Sequence, residues 1–290
     1  MNLTEINTVK RLLRRHGFNF SKSLGQNFLI DGEIPEKTAR CANIDGAGVL
    51  EIGPGIGALT AELSRRAVKV VAVEIDRALK PLLEETLSGH ENIQIVYGDI
   101  LKLNLHELIK EEFGGMRVCV CANLPYYIST PIIMRLLESG LPIESATVML
   151  QKEVALRLCA KAGSSDYGAI SCAVQYYSRP EIQFFIEKES FLPQPKVSSA
   201  VLKMEILKAP PVSTVDKDFM FKIIKAAFGQ RRKTLLNAIS GNPGLEKERV
   251  SAAMAECGLL PLVRGEELSL REFAELADKL FKQSGPSLPL

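Results

Sequence analysis

The sequence predicts an α/β protein, in which a largely parallel sheet with helices on both faces is followed by a smaller helical domain. Short apolar runs between residues 49 and 151 alternate with segments of helical periodicity, as in strand–helix–strand units. The runs are almost continuously apolar, which is typical of strands buried on both faces. After Met204 this pattern fades and helical segments follow. Because 290 residues are many for one core, we expect two domains, 1–207 and 208–290.

Each predicted element follows from its local pattern. The strands are predicted over residues 49–53, 68–76, 93–99, 116–125 and 146–151, and the helices between them over 57–66, 77–87, 106–113 and 131–140. The stretch KAPPVST, 208–214, predicts a linker because adjacent prolines oppose helix formation. The C-terminal helices are predicted over residues 216–228, 231–240, 246–258 and 268–283. The tail after them is expected to fray.

Composition excludes several classes of protein. Six cysteines without paired CxxC spacing oppose a disulfide scaffold and favour a reducing, cytoplasmic location. Three histidines are scattered without the spacing of metal ligands, so we predict no metal. No apolar segment resembles a secretion signal or a membrane span, so we expect no membrane association.

Charge is nearly balanced overall, with a formal net charge of +2, but it is unevenly distributed. From Lys217 to Arg264 there are nine basic residues and four acidic ones. This local excess is consistent with binding to a polyanion, and equally with a solvated helix face.

Ligands of parallel sheets bind outside the carboxyl ends of the strands, so the residues that end each strand are the candidate site. The first strand ends in EIGPGIGALT, where Gly53 and Gly55 allow a tight turn before a helix N-terminus. Glu74 ends the second strand, at the distance where an acidic side chain holds a ribose diol. The alternative is a carboxylate that caps the next helix, a role that Asp76 also suits. Together the turn and the acid favour a nucleoside cofactor.

The next two strand ends point to adenine. Asp99 suits an exocyclic amine of a cofactor adenine, or is simply a turn residue after Gly98. The fourth strand ends in CANLPYYISTP, where Pro125 biases Leu124 to an extended conformation. An amide oxygen from Asn123 and a carbonyl near Leu124 are acceptors for the amine of a second, flipped base, and Tyr126 offers a stacking face. The alternative is that Tyr126 and its neighbour are core aromatics.

Seven motifs in order resemble the ribosomal RNA small-subunit adenine N6-dimethyltransferase family over nearly the whole chain. They are KSLGQNFLID (22–31), LEIGPGIGALT (50–60), VVAVEID (70–76), GDIL (98–101), NLPYYIST (123–130), FLPQPKVSSAV (191–201) and AFGQRRKTL (227–235). The resemblance implies a Rossmann-like domain that uses S-adenosyl-L-methionine and a helical RNA-binding domain.

The resemblance also implies residue roles. The residues implied to bind the cofactor are Gln26, Asn27, Leu29, Gly53, Gly55, Glu74, Ile75, Asp99, Ile100 and Asn123. Those implied to act on the target adenine are Asn123, Leu124, Pro125, Tyr126 and, as a second stacking face, Phe191. Arg231, Arg232 and Lys233 are implied to bind RNA. Tyr127 departs from the Asn that is frequent in this family, and we expect it to pack in the core.

The implied activity is dimethylation of N6 of two adjacent adenosines near the 3′ end of small-subunit (16S) ribosomal RNA, within an immature small subunit. Leu124, where many DNA adenine methylases have Pro, favours the RNA branch. One alternative is a large-subunit dimethylase of the macrolide-resistance type, which the stretch FGQRRKTL opposes. Another is a non-catalytic nucleic-acid-binding relative, which the intact strand ends oppose.

Overall fold

The computed structural model describes residues 1–18, 20 and 25–284. The chain forms two compact units, Met1–Ala155 with Arg179–Ile206, and Leu156–Ser178 with Leu207–Leu290. The predicted domain boundary, between residues 207 and 208, lies one residue from the division between Ile206 and Leu207. Residues 156–178, which the sequence analysis placed in the first domain, group with the second unit because Tyr167 and Cys172 pack in its helical core. Part of the first motif, 22–24, and the tail, 285–290, lie outside the described residues.

Over residues 48–151 the first unit alternates strands and helices, as predicted. Its strands are β1 (Phe28–Leu29), β2 (Gly48–Ile52), β3 (Lys69–Glu74), β4 (Ile93–Tyr97), β5 (Val118–Asn123), β6 (Ser145–Gln151), β7 (Ser178–Ile186), β8 (Phe191–Leu192) and β9 (Ser199–Ile206). Its helices are α1 (Ile6–Arg15), α2 (Glu33–Cys41), α3 (Ala58–Ser64), α4 (Lys80–Thr86), α5 (Leu105–Phe113) and α6 (Ser129–Glu138). The chain passes from one unit to the other within α7 (Lys152–Cys159), at the start of β7 and after the end of β9.

Seven strands form one sheet in the order β4-β3-β2-β5-β6-β9-β7. The first five strands in this order, β4, β3, β2, β5 and β6, are parallel to one another, and β9 is antiparallel to β6. The two-residue strands β1 and β8 pair separately, with Leu29 opposite Phe191. The α/β class predicted from the alternating pattern and the Rossmann-like sheet implied by the resemblance are both confirmed, and the parallel part of the sheet is extended by the antiparallel β9.

Burial explains why the central strands read as apolar runs. Every residue of β2 is buried, and β5 is buried up to Ala122. One cluster packs α2 and α3 onto Val49, Val70 and Cys121, and another is built on Leu79, Leu82, Leu83 and Leu87 with α1. Buried apolar area of this kind is the main source of folding free energy, and it holds the carboxyl ends of the strands in fixed register.

The second unit is helical around one apolar core. Its helices are α8 (Ala169–Tyr177), α9 (Lys217–Gly229), α10 (Leu235–Ile239), α11 (Lys247–Glu256) and α12 (Leu270–Ser284). The helix predicted over 231–240 begins only at Leu235, because Thr234 before it has an extended backbone with ψ near 155°. Among the described helices of the chain, none has the length and apolar composition needed to cross a bilayer.

Candidate active site

Four neighbouring strands end at the same edge of the sheet. The parallel register sets Ile52 opposite Val73 and Glu74 opposite Tyr97, and β5 pairs with β2 in the same direction. The side chains that follow each strand therefore converge on one region, as sheets of this class require for ligand binding.

A cavity lies at this edge, with about 1010 Å³ of empty space when its open mouth is included. It is lined by Gln26, Asn27, Leu29, Gly53, Gly55, Glu74, Ile75, Asp99, Ile100, Asn123, Leu124, Pro125 and Tyr126. The structure thus brings together every residue that the sequence assigned to the cofactor and the target base, except Phe191.

The glycine turn after β2 forms one wall of the cavity. Gly53 and Gly55 have φ of 70° and 59°, a left-handed conformation that other residues adopt only with strain. A Cβ atom on Gly55 would lie 3.2 Å from the ring of Phe28, which also lines the cavity. Both the conformation and the close packing therefore require glycine, and they leave backbone exposed to a ligand.

Glu74 lies at the end of β3 and is only 5% exposed. Its Oε1 accepts from the backbone N–H of Asp76 at 2.8 Å, and its Oε2 accepts from that of Gly55 at 3.4 Å. Burial raises the pKa of Glu74, and these N–H donors partly oppose the rise. The capping role belongs to Asp76, which accepts from the N–H of Ala78 at 3.0 Å. Gln26 donates to the other oxygen of Asp76 at 2.7 Å, so the segment before β1 is tied to this strand end.

Asp99 lines the cavity and also shapes its own turn. Its Oδ1 accepts from the backbone N–H of Leu101 at 2.9 Å. Arg135 of α6 donates to the carbonyl oxygens of Leu101 and Leu103, the latter at 2.6 Å. Asp99 can therefore be both a turn residue and an acceptor for a ligand amine. The loop after it is anchored by hydrogen bonds from α6.

The end of β5 presents an amide and an aromatic ring to the cavity. The N–H of Leu124 donates to the carbonyl of Met149 at 3.0 Å, which anchors the backbone, and Pro125 is extended with ψ of 125°. The Asn123 carboxamide makes no hydrogen bond within the described part of the chain. The Tyr126 hydroxyl lies 2.5 Å from Oγ of Ser199, and burial raises the pKa of Tyr126. The ring is fixed in place, whereas the carboxamide is left available to a ligand.

Two expectations about aromatic residues differ from the structure. Phe191 is only 2% exposed and packs with Leu29, Met149 and Val201, because its pairing with Leu29 turns it toward this cluster instead of the cavity. Tyr127 was expected in the core and that prediction is wrong. Its side chain is 53% exposed and lies at the cavity rim, where a Cβ atom on Gly25 would be 3.4 Å from the ring.

Sequence reasoning missed Glu51, which lines the cavity from within β2. Its side chain is 1% exposed, and burial raises its pKa from 4.5 to about 8. The signal was present as a single carboxylate inside the apolar run VLEIG. An unpaired carboxylate is rarely buried so fully, so such a residue indicates a functional role.

This burial predicts how stability depends on pH. In the ligand-free folded protein Glu51 keeps its proton up to about pH 8, whereas in the unfolded chain its pKa is near 4.5. Between these values the folded state binds one more proton, so rising pH destabilises it. We expect the free energy of unfolding of the wild type, minus that of Glu51→Gln, to fall by about 1.4 kcal/mol per pH unit between about pH 5 and 8. Urea unfolding of both proteins measures this, and parallel pH profiles would contradict it.

The three candidate RNA-binding residues lie between α9 and α10 and differ from one another. Arg231 donates to the backbone carbonyls of Ser165 and Tyr167, at 2.6 and 3.3 Å, and pairs with Glu266 at 3.6 Å. Arg232 and Lys233 are exposed, and no side-chain partner is present for either within the described ranges. Arg231 therefore has a structural role in this unit, and the other two are available to a polyanion.

Comparison with known proteins places the chain among RNA-modifying enzymes. Two bacterial proteins named ribosomal RNA small subunit methyltransferase A are close relatives. The protein from Alkaliphilus oremlandii is 49% identical, over 95% of this chain and 96% of the relative, and the one from Geobacillus sp. is 50% identical, over 94% and 95%.

Two solved structures share the fold. A dimethyladenosine transferase from Plasmodium falciparum superposes with a TM-score of 0.71 and 25% identity, over 89% of this chain and 98% of that protein. The 23S rRNA methyltransferase ErmE gives 0.67 and 26%, over 88% and 99%. The family model described as ribosomal RNA adenine dimethylase matches residues 17–281. The resemblance read from seven motifs is confirmed, and the chain belongs to the ribosomal RNA adenine dimethylase family.

Proposed function

We propose that this protein transfers methyl groups from S-adenosyl-L-methionine to N6 of two adjacent adenosines near the 3′ end of small-subunit ribosomal RNA. The observation that carries the proposal is that one cavity holds both the glycine turn with Glu74 and the end of β5 with Asn123 and Tyr126. A cofactor site and a base site must adjoin for a group to pass between them.

The cavity residues fit this cofactor. The acidic residues that line it are Glu51, Glu74 and Asp99, and none of the described residues that line it is basic. An all-acidic lining suits a ligand that carries a sulfonium and an ammonium group. Glu74 would accept from the ribose hydroxyls, Asp99 from the adenine amine, and the glycine turn would lie against the methionine part. When bound, the cofactor supplies an electrophilic methyl group on its sulfonium.

Asn123 and Leu124 act on the target base. The N6 amine of adenine is a poor nucleophile because its lone pair is delocalised into the ring. In the first transfer the Asn123 side-chain oxygen and the Leu124 carbonyl accept hydrogen bonds from its two N–H groups and pyramidalise the nitrogen, which localises the lone pair; in the second transfer one N–H remains to be held in this way. The proton leaves after transfer, when the nitrogen is cationic and acidic, so no strong base is needed.

Tyr126 and Phe191 hold the base pocket in shape. Tyr126 stacks on the extruded adenine, and its bond to Ser199 fixes the plane of the ring. Phe191 packs behind Leu29, which lines the cavity, so we assign it a positioning role through Leu29.

The higher sequence identity to the small-subunit enzymes favours the small ribosomal subunit as the substrate. The proteins named for the small subunit are 49–50% identical to this chain, whereas the 23S methyltransferase is 26% identical. A non-catalytic role is opposed by the available Asn123 carboxamide and by the intact glycine turn. An immature small subunit in the cytoplasm stays our prediction for the cellular substrate, because large RNA particles are recognised by shape.

The test is transfer of labelled methyl groups to small subunits that lack this modification, followed by nucleoside analysis. We expect N6,N6-dimethyladenosine in small-subunit RNA, and none in large subunits assayed in parallel. If the labelled methyl groups appeared only in large-subunit RNA, the protein would be assigned instead as a large-subunit dimethylase of the macrolide-resistance type. Binding of RNA without transfer to either subunit would support the non-catalytic alternative.

RNA affinity should depend on Arg232 and Lys233 more than on Arg231. Replacing both exposed residues with alanine removes two phosphate contacts, so the slope of log K against log salt should become shallower by roughly 1.4 to 1.8. Arg231→Ala removes bonds to backbone carbonyls instead, and we expect a lower Tm with a smaller change in the slope. Filter binding across a salt series measures both. Lys247→Ala, a change at an exposed residue on α11, is the control. A double variant with the same salt slope as the wild type would contradict the assignment.

A further inference from the structure

The feature that the proposed mechanism leaves unused is the ring of Tyr127 at the rim of the cavity. Two large apolar side chains that line this cavity are about half exposed, Ile75 at 49% and Tyr127 at 53%. Ile75 follows Glu74 at the end of β3, on the side of the cavity that is assigned to the cofactor. Tyr127 follows β5, on the side that is assigned to the target base. An RNA strand that delivers a base to this site must therefore pass the ring of Tyr127.

The ring of Tyr127 is supported on one side by Gly25. A Cβ atom on Gly25 would lie 3.4 Å from Cδ1 of the ring, and Gly25 has a φ of 59°, so both the space and the conformation favour glycine. Asn27 donates to the carbonyl oxygen of Gly25 at 2.9 Å, which holds this turn beside the ring. The Tyr127 hydroxyl makes no hydrogen bond within the described ranges. The ring is thus packed on one side while about half of the residue stays open to solvent.

Tyr126 and Tyr127 cannot stack on the same base. Both belong to the 3₁₀ turn Tyr126–Ile128, in which successive side chains are rotated by about 120° from each other. The ring of Tyr126 is fixed by the contact between its hydroxyl and Ser199. Two rings that diverge in this way offer their faces to two different bases. The second base available at the mouth of the cavity belongs to the nucleotide that is joined to the extruded one.

The chemistry of the rim favours contact with a base over contact with a phosphate. None of the described residues that line the cavity is basic, so the lining offers no ion pair to the RNA backbone. An open aromatic ring stacks on any base, because every base has a π face. The side chain that the rim does offer is therefore suited to a neighbouring nucleobase.

We propose that Tyr127 stacks on the nucleobase next to the extruded adenine and so holds the RNA in register for methyl transfer. The inference rests on the proposed function and extends its base site by one nucleotide. Since Tyr127 lies on one side of the pocket, it meets either the 5′ neighbour or the 3′ neighbour of the target adenosine, and not both.

Transfer to small subunits that lack the modification, measured at saturating cofactor, separates the ring from the hydroxyl. Tyr127→Phe keeps the ring and should retain the wild-type kcat/KM for subunits. Tyr127→Leu keeps an apolar contact with Gly25 but removes the ring, and kcat/KM should fall roughly 5- to 150-fold, the range for loss of one base–aromatic stack. Phe185→Leu changes a similarly exposed aromatic residue on β7, outside the cavity lining, and should behave as the wild type.

Calorimetric titration with S-adenosyl-L-methionine distinguishes stacking from a structural role. Gln26 and Asn27 line the cavity next to Gly25, so removal of a ring that only held this segment would weaken cofactor binding. We expect the same Kd for the wild type, Tyr127→Phe and Tyr127→Leu. The proposal would be overturned by a wild-type kcat/KM in Tyr127→Leu, by an equal loss in both variants, or by a loss of cofactor affinity that matches the loss of kcat/KM.

The neighbouring base is identified by removing it. Small subunits are reconstituted with a synthetic 3′ segment of their RNA that carries an abasic nucleotide on the 5′ or on the 3′ side of one target adenosine. On one of these two substrates the wild type should lose about as much kcat/KM as Tyr127→Leu loses on intact RNA, and Tyr127→Leu should lose little more. Additive losses on both substrates would show that Tyr127 contacts neither base.

The outcomes separate this inference from the proposed function. Methyl transfer by the wild type that is unaffected by Tyr127→Leu would overturn the role of Tyr127 and leave the methyltransferase assignment intact. Absence of transfer by the wild type would overturn the proposed function, and this inference with it.

Discussion

Replacing Asn123 by alanine should lower kcat for methyl transfer roughly 100- to 1,000-fold, the range measured when one polar group that stabilises a transition state is removed. The change removes one of the two acceptors that localise the lone pair of the target nitrogen. Cofactor affinity should change little, because the alanine variant keeps the backbone carbonyl of residue 123. In the wild type it is this carbonyl that lies beside the glycine turn, 4.0 Å from a Cβ placed on Gly53. Single-turnover transfer and cofactor titration of the same preparation measure the two effects separately.

Asn123→Asp is the matched variant for this prediction. It keeps an acceptor oxygen at the same position, so it should retain more transfer activity than Asn123→Ala. An alanine variant that turned over at the wild-type rate would show that the lone-pair argument is wrong. An equal loss in kcat and in cofactor affinity would show that Asn123 acts mainly through cofactor binding.

The central sheet was predictable because its strands are buried on both faces, and burial leaves an unmistakable apolar run in the sequence. Strand β7 was not predicted, and its position explains why. It is one of the two edge strands, its burial alternates irregularly, and it contains Pro180, which is tolerated only where a ladder hydrogen bond is not needed. The local sequence pattern therefore does not identify a strand such as β7, which is defined mainly by its pairing with a strand that lies elsewhere in the sequence.

The candidate site was predictable to the extent that it lies on strand ends. Gly53, Glu74, Asp99 and Asn123 converge because parallel pairing brings the carboxyl ends of four neighbouring strands, β2 to β5, to one edge of the sheet. Phe191 could not be placed, since its position depends on a two-residue pairing between segments over 160 residues apart. Tyr127 likewise lies at the cavity rim beside Gly25, a residue distant in the sequence, and no local pattern encodes this proximity.

Replacing Glu74 by alanine should weaken cofactor binding roughly 100-fold or more, since each hydrogen bond to a charged group contributes about 1.5 to 3 kcal/mol and the ribose diol would make two. At saturating cofactor, kcat should remain near the wild-type value, because Glu74 lies on β3 and the groups that act on the target base lie at the end of β5. This is the reverse of the pattern expected for Asn123→Ala. Calorimetry and transfer assays at several cofactor concentrations measure the split.

The ligand-free contacts of Glu74 refine this prediction. Its carboxylate already accepts from the backbone N–H groups of Asp76 and Gly55, so it also holds the glycine turn against β3. Glu74→Gln keeps one acceptor oxygen and the shape of the side chain, and we expect an affinity between those of the wild type and Glu74→Ala. Glu84→Ala, an exposed residue on α4, should bind as the wild type does. If Glu74→Ala bound the cofactor normally, the carboxylate would serve only to hold the turn, and the ribose would have to be bound elsewhere in the cavity.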